Sequence, residues 1–242
     1  MMGPFRKCYF SIPHLPGSLK TDRKDGDVQP EEGKHFTIKC KEKNDVVIVT
    51  EKLDGTCMGV IKDEDGQIYA INRSGYLAET SPWKHQRYFA QYVNRHYEKL
   101  DSVLSPGQRM MGEWMILAHG IKYDSLPCCW FVFDILGPKG FVPYAEHHKY
   151  IPDMSWCHVP IIYQGPAISI EDAWKITPPH GFINCDKPEG LVYRIERNGK
   201  TIALAKWVRP DFEPGKYLSG ISGSNIDVWN VHPRDFFFEV LE

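Results

Sequence analysis

The stretch Asp45-Val46-Val47-Ile48-Val49-Thr50-Glu51-Lys52-Leu53-Asp54-Gly55-Thr56 decides how the rest of the chain is read. Its first half is a short β-branched run, which reads as a buried strand. Its second half places a lysine where that strand ends and an Asp-Gly pair where the chain turns. Taken alone, Lys-x-Asp-Gly is an ordinary surface turn, since a four-residue pattern recurs by chance. Its meaning depends on the residues elsewhere in the chain that could join it in one site.

Working outward, Cys57 to Lys62 reads as a second strand. Asp63-Glu64-Asp65-Gly66 supplies hairpin chemistry through its Asp-Gly step, and Gln67 to Asn72 returns as a third strand. Ser81-Pro82 marks a helix start, the serine as N-cap and the proline at the first helical position. Phe89, Tyr92, Val93, His96, Tyr97 and Leu100 follow at helical spacing, an aromatic-rich face that belongs in a core. Four further strands are expected at Arg109 to Ile116, Trp130 to Leu136, Gly190 to Glu196 and Thr201 to Val208. Weak helices are expected near Ala145 to Ile151 and Ile170 to Ile176. In the other direction, the prolines at 13 and 16 exclude regular structure from Ser11 to Ser18. Lys20 to Lys34, charged and broken by Gly26, Pro30 and Gly33, reads as an exposed loop. Strands arranged largely as neighbouring hairpins with helices packed outside give an α+β fold on antiparallel sheets. No repeat or linker divides the chain, so residues 1–242 are expected to form a single domain.

The gross numbers narrow the function classes. Hydrophobic residues make up 42% of the 242 and charged residues 25%, as in a globular protein with a real core. The formal net charge of -2 announces no polyanion partner, so any basic surface is local. Seven cysteines with no C-x-x-C pairing, two of them adjacent at Cys128 and Cys129, fit neither a disulfide framework nor structural zinc. With no apolar signal core at the N-terminus and no stretch of membrane-spanning length, the expected location is cytoplasmic and no membrane partner is expected.

Charge inside the strands is the informative oddity. Asn72-Arg73 closes the third strand with an arginine. Gly112-Glu113-Trp114 sets a carboxylate inside an apolar strand, and Phe133-Asp134 sets an aromatic beside an acid in a buried run. Glu189-Gly190-Leu191-Val192 repeats the pattern, and Ala205-Lys206-Trp207 embeds a lysine in apolar sequence. Such groups are costly inside strands unless paired or used. Any one could be a structural ion pair; five together argue for a shared polar cleft.

That ordered set resembles the covalent nucleotidyltransferase superfamily of polynucleotide ligases and mRNA capping enzymes. Within it, Glu51-Lys52-Leu53-Asp54-Gly55-Thr56 is similar to the form found in ATP-dependent RNA ligases. His14-Leu15-Pro16-Gly17-Ser18, His119 to Pro127 and Lys206-Trp207-Val208-Arg209-Pro210 strengthen the match, which runs from about Ile12 to Phe212. The resemblance implies the nucleotidyltransferase (ligase adenylation, ATP-grasp-like) fold. It also implies an enzyme that self-adenylates on Lys52 from ATP with Mg²⁺ or Mn²⁺, passes AMP to a 5′-phosphate RNA end and seals that end to a 3′-hydroxyl. The chemistry then asks for a depressed Lys52 pKa, with Lys206 or a bound metal as the neighbouring positive charge. By the same resemblance Lys206 neutralises phosphate, Glu189 holds metal, and Glu113 and Arg73 fix the ribose and its phosphate side. Phe133 stacks on adenine, Glu51 reads its exocyclic amine, and Asp54 supports the turn and the ribose.

Two positions depart from the commonest pattern. Leu204 stands where many ligases carry the first of two lysines in the last motif, and Cys57 stands where related RNA ligases can have asparagine. The alternatives are a minimal ATP-dependent DNA ligase, a capping-type nucleotidyltransferase, or a non-catalytic nucleic-acid-binding protein on a decayed ligase fold. The first two usually need an oligonucleotide-binding barrel after the last motif. Arg209 to Glu242 is too short for one, so no such domain is expected. Decay would strike the nucleophile or the metal carboxylate first, and Lys52, Glu113, Glu189 and Lys206 are all present. The apolar Asp235-Phe236-Phe237-Phe238-Glu239-Val240-Leu241 is expected to pack on the core as one terminal element.

Overall fold

A computed structural model describes residues 5, 7–20, 25–151, 153, 155–183, 185–224 and 226–236. Two antiparallel sheets carry the fold. The first has four strands in the order β10 (Lys200–Val208), β9 (Gly190–Arg197), β1 (Asp45–Lys52) and β8 (Ile161–Gly165). The second runs β3 (Ile68–Asn72), β2 (Thr56–Lys62), β4 (Arg109–Trp114), β5 (Trp130–Gly137) and β6 (Gly140–Phe141), with β7 (Cys157–His158) parallel beside β5. β1 and β2 lie in different sheets with only Leu53-Asp54-Gly55 between them, so the turn after Lys52 is the crossing from one sheet to the other. Gly55 permits that crossing: a Cβ there would stand 2.6 Å from the Trp114 carbonyl oxygen.

The expected strands are all present, as are the β2–β3 and β9–β10 hairpins. β1 is paired on both edges, and Val47 and Val49 within it are fully buried. β8 was not expected. It is short, and Ile161 is exposed, so it lacks the alternation that marks a half-buried strand.

Helices α2 (Lys84–Arg95) and α3 (Tyr97–Val103) close the outer face of the second sheet. Phe89, Tyr92, Val93 and Leu100 face inward as their spacing requires. His96 separates the two helices and Tyr97 is exposed, so the stripe is less continuous than its period suggested. Phe89 and Tyr92 pack edge-on and tilted against Trp114 and Trp130 at 5.0–6.4 Å. Truncating a ring of this kind typically costs about 3–5 kcal/mol. The helix begins two residues later than expected. The Ser81 hydroxyl accepts from the Trp83 N–H and donates to Gln86, holding the entry turn without capping the helix. Helix α4 (Ile170–Ile176) is capped by Ser169, which accepts from the Asp172 N–H at 3.0 Å. The other weak helix is a 3-10 turn at Tyr144–Tyr150.

Lys20 to Lys34 is not simply an exposed loop. Helix α1 (Pro30–Thr37) starts within it, using Pro30 in its first turn, and Asp25, Val28 and Gly33 are buried. Short helices α5 (Ser219–Ser222) and α6 (Pro233–Phe236) end the described chain. The rest of the expected terminal element, residues 237–241, lies outside the described residues. All seven cysteines are free thiols, and among the described residues no helix is long and apolar enough to cross a membrane.

Candidate active site

The seam between the two sheets opens into a pocket of about 490 Å³, the size of a small-molecule site. Its floor is set by strand register. Lys52 at the end of β1 stands opposite Gly190 of β9, and Gly190 stands opposite Val208 of β10. Gly190 cannot carry a side chain, since a Cβ would lie 2.0 Å from the Trp207 carbonyl oxygen. Glu189, immediately before it, therefore emerges beside Lys52, and the two form an ion pair of 2.6 Å. Lys206, opposite Val192, lines the same cavity from the edge strand. The second sheet contributes the facing wall. Cys57 and Glu113 are register partners on β2 and β4, and Phe133 of β5 completes the side.

Six of the eight residues singled out in the sequence line this one pocket: Glu51, Lys52, Arg73, Glu113, Phe133 and Lys206. Glu189 reaches it through Lys52. Asp54 sits behind the wall, its Oδ2 accepting from the Gly120 and Ile121 N–H groups at 2.6 and 2.9 Å and its own N–H donating to the Tyr123 hydroxyl. It pins the 120–123 loop to the turn after Lys52, which puts His119 at the rim, 3.2 Å from Thr56 Oγ1. Arg73 donates to Ser11 Oγ at 2.8 Å and to the Phe10 carbonyl at 3.2 Å. Glu51 accepts from the Phe182 N–H at 2.8 Å through Oε2, while its buried Oε1 has no hydrogen-bond partner among the described residues.

The electrostatics differ from the expectation in one respect. Burial alone lowers the Lys52 pKa, but Glu189, Glu113 and Asp54 outweigh it and hold the ammonium above its usual value. Lys206 does not outweigh those carboxylates, so Lys52 is held as its ammonium. Lys206 itself is held below its usual value by burial and by the Lys52 charge, against the pull of its partner Asp25. Burial raises Glu113 to about 8, and raises Glu189 to about 7, each despite the attraction of Lys52. The rim histidine His119 is pushed down to about 4 by burial and by Lys52, so at neutral pH it is an uncharged ring.

Glu113 yields a stability prediction. Its folded pKa lies above the unfolded carboxylate value, so the native state holds the extra proton. Stability is thus fully present below about pH 4.5 and is lost as pH rises through about 8. Glu113→Gln keeps an oxygen for the Gly55 N–H and removes that titration. The ligand-free variant should gain on the order of 2–4 kcal/mol over the parent at pH 8.5 and nothing at pH 4. Thermal unfolding at the two pH values checks this; equal shifts at both would remove Glu113 as the source.

Several lining residues escaped the sequence reading. Tyr9 and Phe10 come from the N-terminal segment and stack at 4.8 Å, with Tyr9 also tilted against Phe133 at 5.1 Å. The Tyr9 hydroxyl donates to Asp134, which is ion-paired with Arg194 of β9, all three buried. Arg194 carried a usable signal, a charge between Tyr193 and Ile195 in an apolar strand. Asp25, which pairs with Lys206, carried none, being one acid in a run of charges. No group of three or more His, Cys, Asp or Glu side chains among the described residues is placed to bind metal unaided.

Comparisons with known proteins bear on the fold and the family. A family model described as RNA ligase matches residues 45–208, from the first residue of β1 to the last of β10. Among solved structures, a mutant of the Naegleria gruberi RNA ligase with ATP and Mn is 18% identical and covers 83% of this chain and 60% of its own, with a TM-score of 0.52. A ligand-free mutant of the same enzyme is 19% identical and covers 87% and 61%, with a TM-score of 0.53. These likenesses establish the ligase nucleotidyltransferase fold, and this chain spans about 60% of the length of those two. No curated protein matches the sequence. Since the matched span takes in well over half of the residues and every strand that builds the pocket floor, the chain belongs to the RNA ligase family.

Proposed function

We propose that this chain is an ATP-dependent RNA ligase that adenylates itself on Lys52, transfers the AMP to an RNA 5′-phosphate and joins that end to a 3′-hydroxyl. The observation that carries the reading is the Lys52–Glu189 pair on the floor of a pocket whose walls hold Arg73, Lys206, Glu113 and an aromatic cluster. Lys52 Nζ attacks the α-phosphorus of ATP, a P–N bond forming as the bond to the pyrophosphate oxygen breaks. Its ammonium must first lose a proton, and Glu189 Oε2 at 2.6 Å is placed to accept it.

The other residues supply position and charge, which carry most of the catalysis in phosphoryl transfer. Lys206 and Arg73 face the phosphate oxygens, Glu113 accepts from ribose hydroxyls, and Phe133 stacks on the base. Glu51 Oε1, a buried acceptor with no donor among the described residues, favours the exocyclic amine of adenine over the carbonyl that guanine presents there. Two buried carboxylates with raised pKa values beside one lysine fit a second positive charge. Glu189 would hold a divalent cation, Mg²⁺ or Mn²⁺, which when bound supplies charge to phosphate oxygens. AMP transfer to RNA and sealing are further in-line exchanges on the same surface.

The test is incubation with labelled ATP or labelled GTP and Mg²⁺, then denaturing electrophoresis, followed by sealing of nicked duplexes. ATP but not GTP should label the chain. Deoxyribonucleotides at the 3′-hydroxyl end should slow sealing at least about tenfold, the worth of one lost hydrogen bond to a 2′-hydroxyl. Equal sealing of all-DNA and RNA-ended nicks at the same salt would replace this reading with that of a DNA ligase.

A further inference from the structure

Residues 13–15 are stitched to the pocket's edge strand. The Leu15 N–H donates to the Lys206 carbonyl at 2.8 Å, and the Lys206 N–H donates to the Pro13 carbonyl at 2.9 Å. Residues 26–28 pair in turn with His14, whose N–H donates to the Gly26 carbonyl at 2.8 Å and whose carbonyl accepts from the Val28 N–H at 2.9 Å. Asp25 stands beside these anchors and meets two cations of the pocket. The Asp25 side chain is 2% exposed, ion-paired with Lys206 Nζ, and its Oδ1 lies 3.7 Å from Arg73 Nη2.

Those two cations are the ones assigned above to nucleotide phosphate. A carboxylate between a lysine and an arginine presents two acceptor oxygens and one negative charge, as a phosphate ester group does. A phosphate that takes Lys206 while Asp25 stays in place would set two anions side by side on the same cation, where each repels the other. Phosphate and Asp25 therefore exclude one another.

Resting on the proposed nucleotide chemistry, we infer that Asp25 is a built-in stand-in for a nucleotide phosphate: it pairs with Lys206 and Arg73 before nucleotide binds, is displaced when the triphosphate enters, and on its return helps expel pyrophosphate. It differs in role from Glu189, which faces the nucleophile itself. The exclusion has three consequences. ATP binds more weakly than its cations alone would allow. Pyrophosphate, once detached from the base that anchors it, loses to the tethered carboxylate. Adenosine, which has no phosphate, is indifferent to Asp25.

Asp25→Asn tests this, since the amide keeps the volume and an oxygen for Lys206 but drops the charge. With the full chain, binding of ATP, inorganic pyrophosphate and adenosine is measured by calorimetry on both proteins. The variant should bind ATP and pyrophosphate about tenfold more tightly, with adenosine unchanged. Weaker ATP and pyrophosphate binding would overturn the inference, leaving Asp25 as a residue that merely positions Lys206; equal tightening of all three would overturn it as well. Hydrogen exchange on the unaltered chain gives a reading independent of how the variant folds. Adding a non-hydrolysable ATP analogue should speed exchange of the His14 and Val28 amides, and unchanged or slower exchange would count against displacement. If the unaltered chain binds no ATP, the nucleotide reading fails first, an outcome distinct from binding that Asp25→Asn leaves untouched.

Discussion

Lys52→Ala is expected to abolish covalent labelling by ATP altogether while the protein stays folded and still binds nucleotide. No neighbouring group can take over. The second lysine of the pocket, Lys206, sits on the edge strand and is bound to Asp25, and Arg73 is tied to the Phe10 carbonyl and to Ser11. Truncation also removes one member of the Lys52–Glu189 pair. That would normally leave a buried charge uncompensated, at a cost of about 3–5 kcal/mol. Here the penalty is softened, because burial has already raised Glu189 to about 7 and a proton can replace the lysine near neutral pH. Labelled AMP persisting on the alanine variant after denaturation would move the nucleophile elsewhere.

Glu189→Ala should lower the rate of lysine adenylylation by roughly 10²–10³, the scale seen when one electrostatic contact to a transition state is deleted. ATP affinity should change far less, because that contact matters most while charge is moving between oxygens. Glu189→Gln separates charge from packing: it keeps the volume and an acceptor for Lys52, so a comparable loss in both variants assigns the effect to the carboxylate. Single-turnover labelling at saturating ATP measures the rate directly. A rate within about threefold of the parent in both variants would remove Glu189 from the chemistry.

Much of this site was legible because charge inside an apolar strand is conspicuous. Glu113 between Gly112 and Trp114, and Lys206 between Ala205 and Trp207, stand out against neighbours that belong in a core, and the fold brings both to the same cavity. The same logic applied to Arg194 would have found a second buried cation beside Lys206. Asp25 was not legible for the opposite reason. Asp25 lies in a stretch so rich in charge that solvent is the natural reading, and its burial comes from a tertiary contact with a strand some 180 positions later. The charge state of Lys52 was not legible because sequence supplies Asp54 beside it along the chain but not Glu189 and Glu113, which reach it from other strands. Strand β8 escaped because an edge strand with an exposed isoleucine shows no period.

The pairing of Lys52 with Gly190 and of Gly190 with Val208 constrains how this chain can tolerate change in length. Side chains along a strand alternate between faces, so one residue gained or lost inside β9 would turn Val192 and Arg194 away from the cavity and bring the residues between them forward. Only changes of two residues preserve the parity of the floor. The hairpin tips at Asp63–Gly66 and Asn198–Gly199 carry no such arithmetic, since residues inserted there leave both registers as they were. A library of single-codon insertions should therefore map the site in negative, with survivors gathered at the tips and none in the strands beside Lys52.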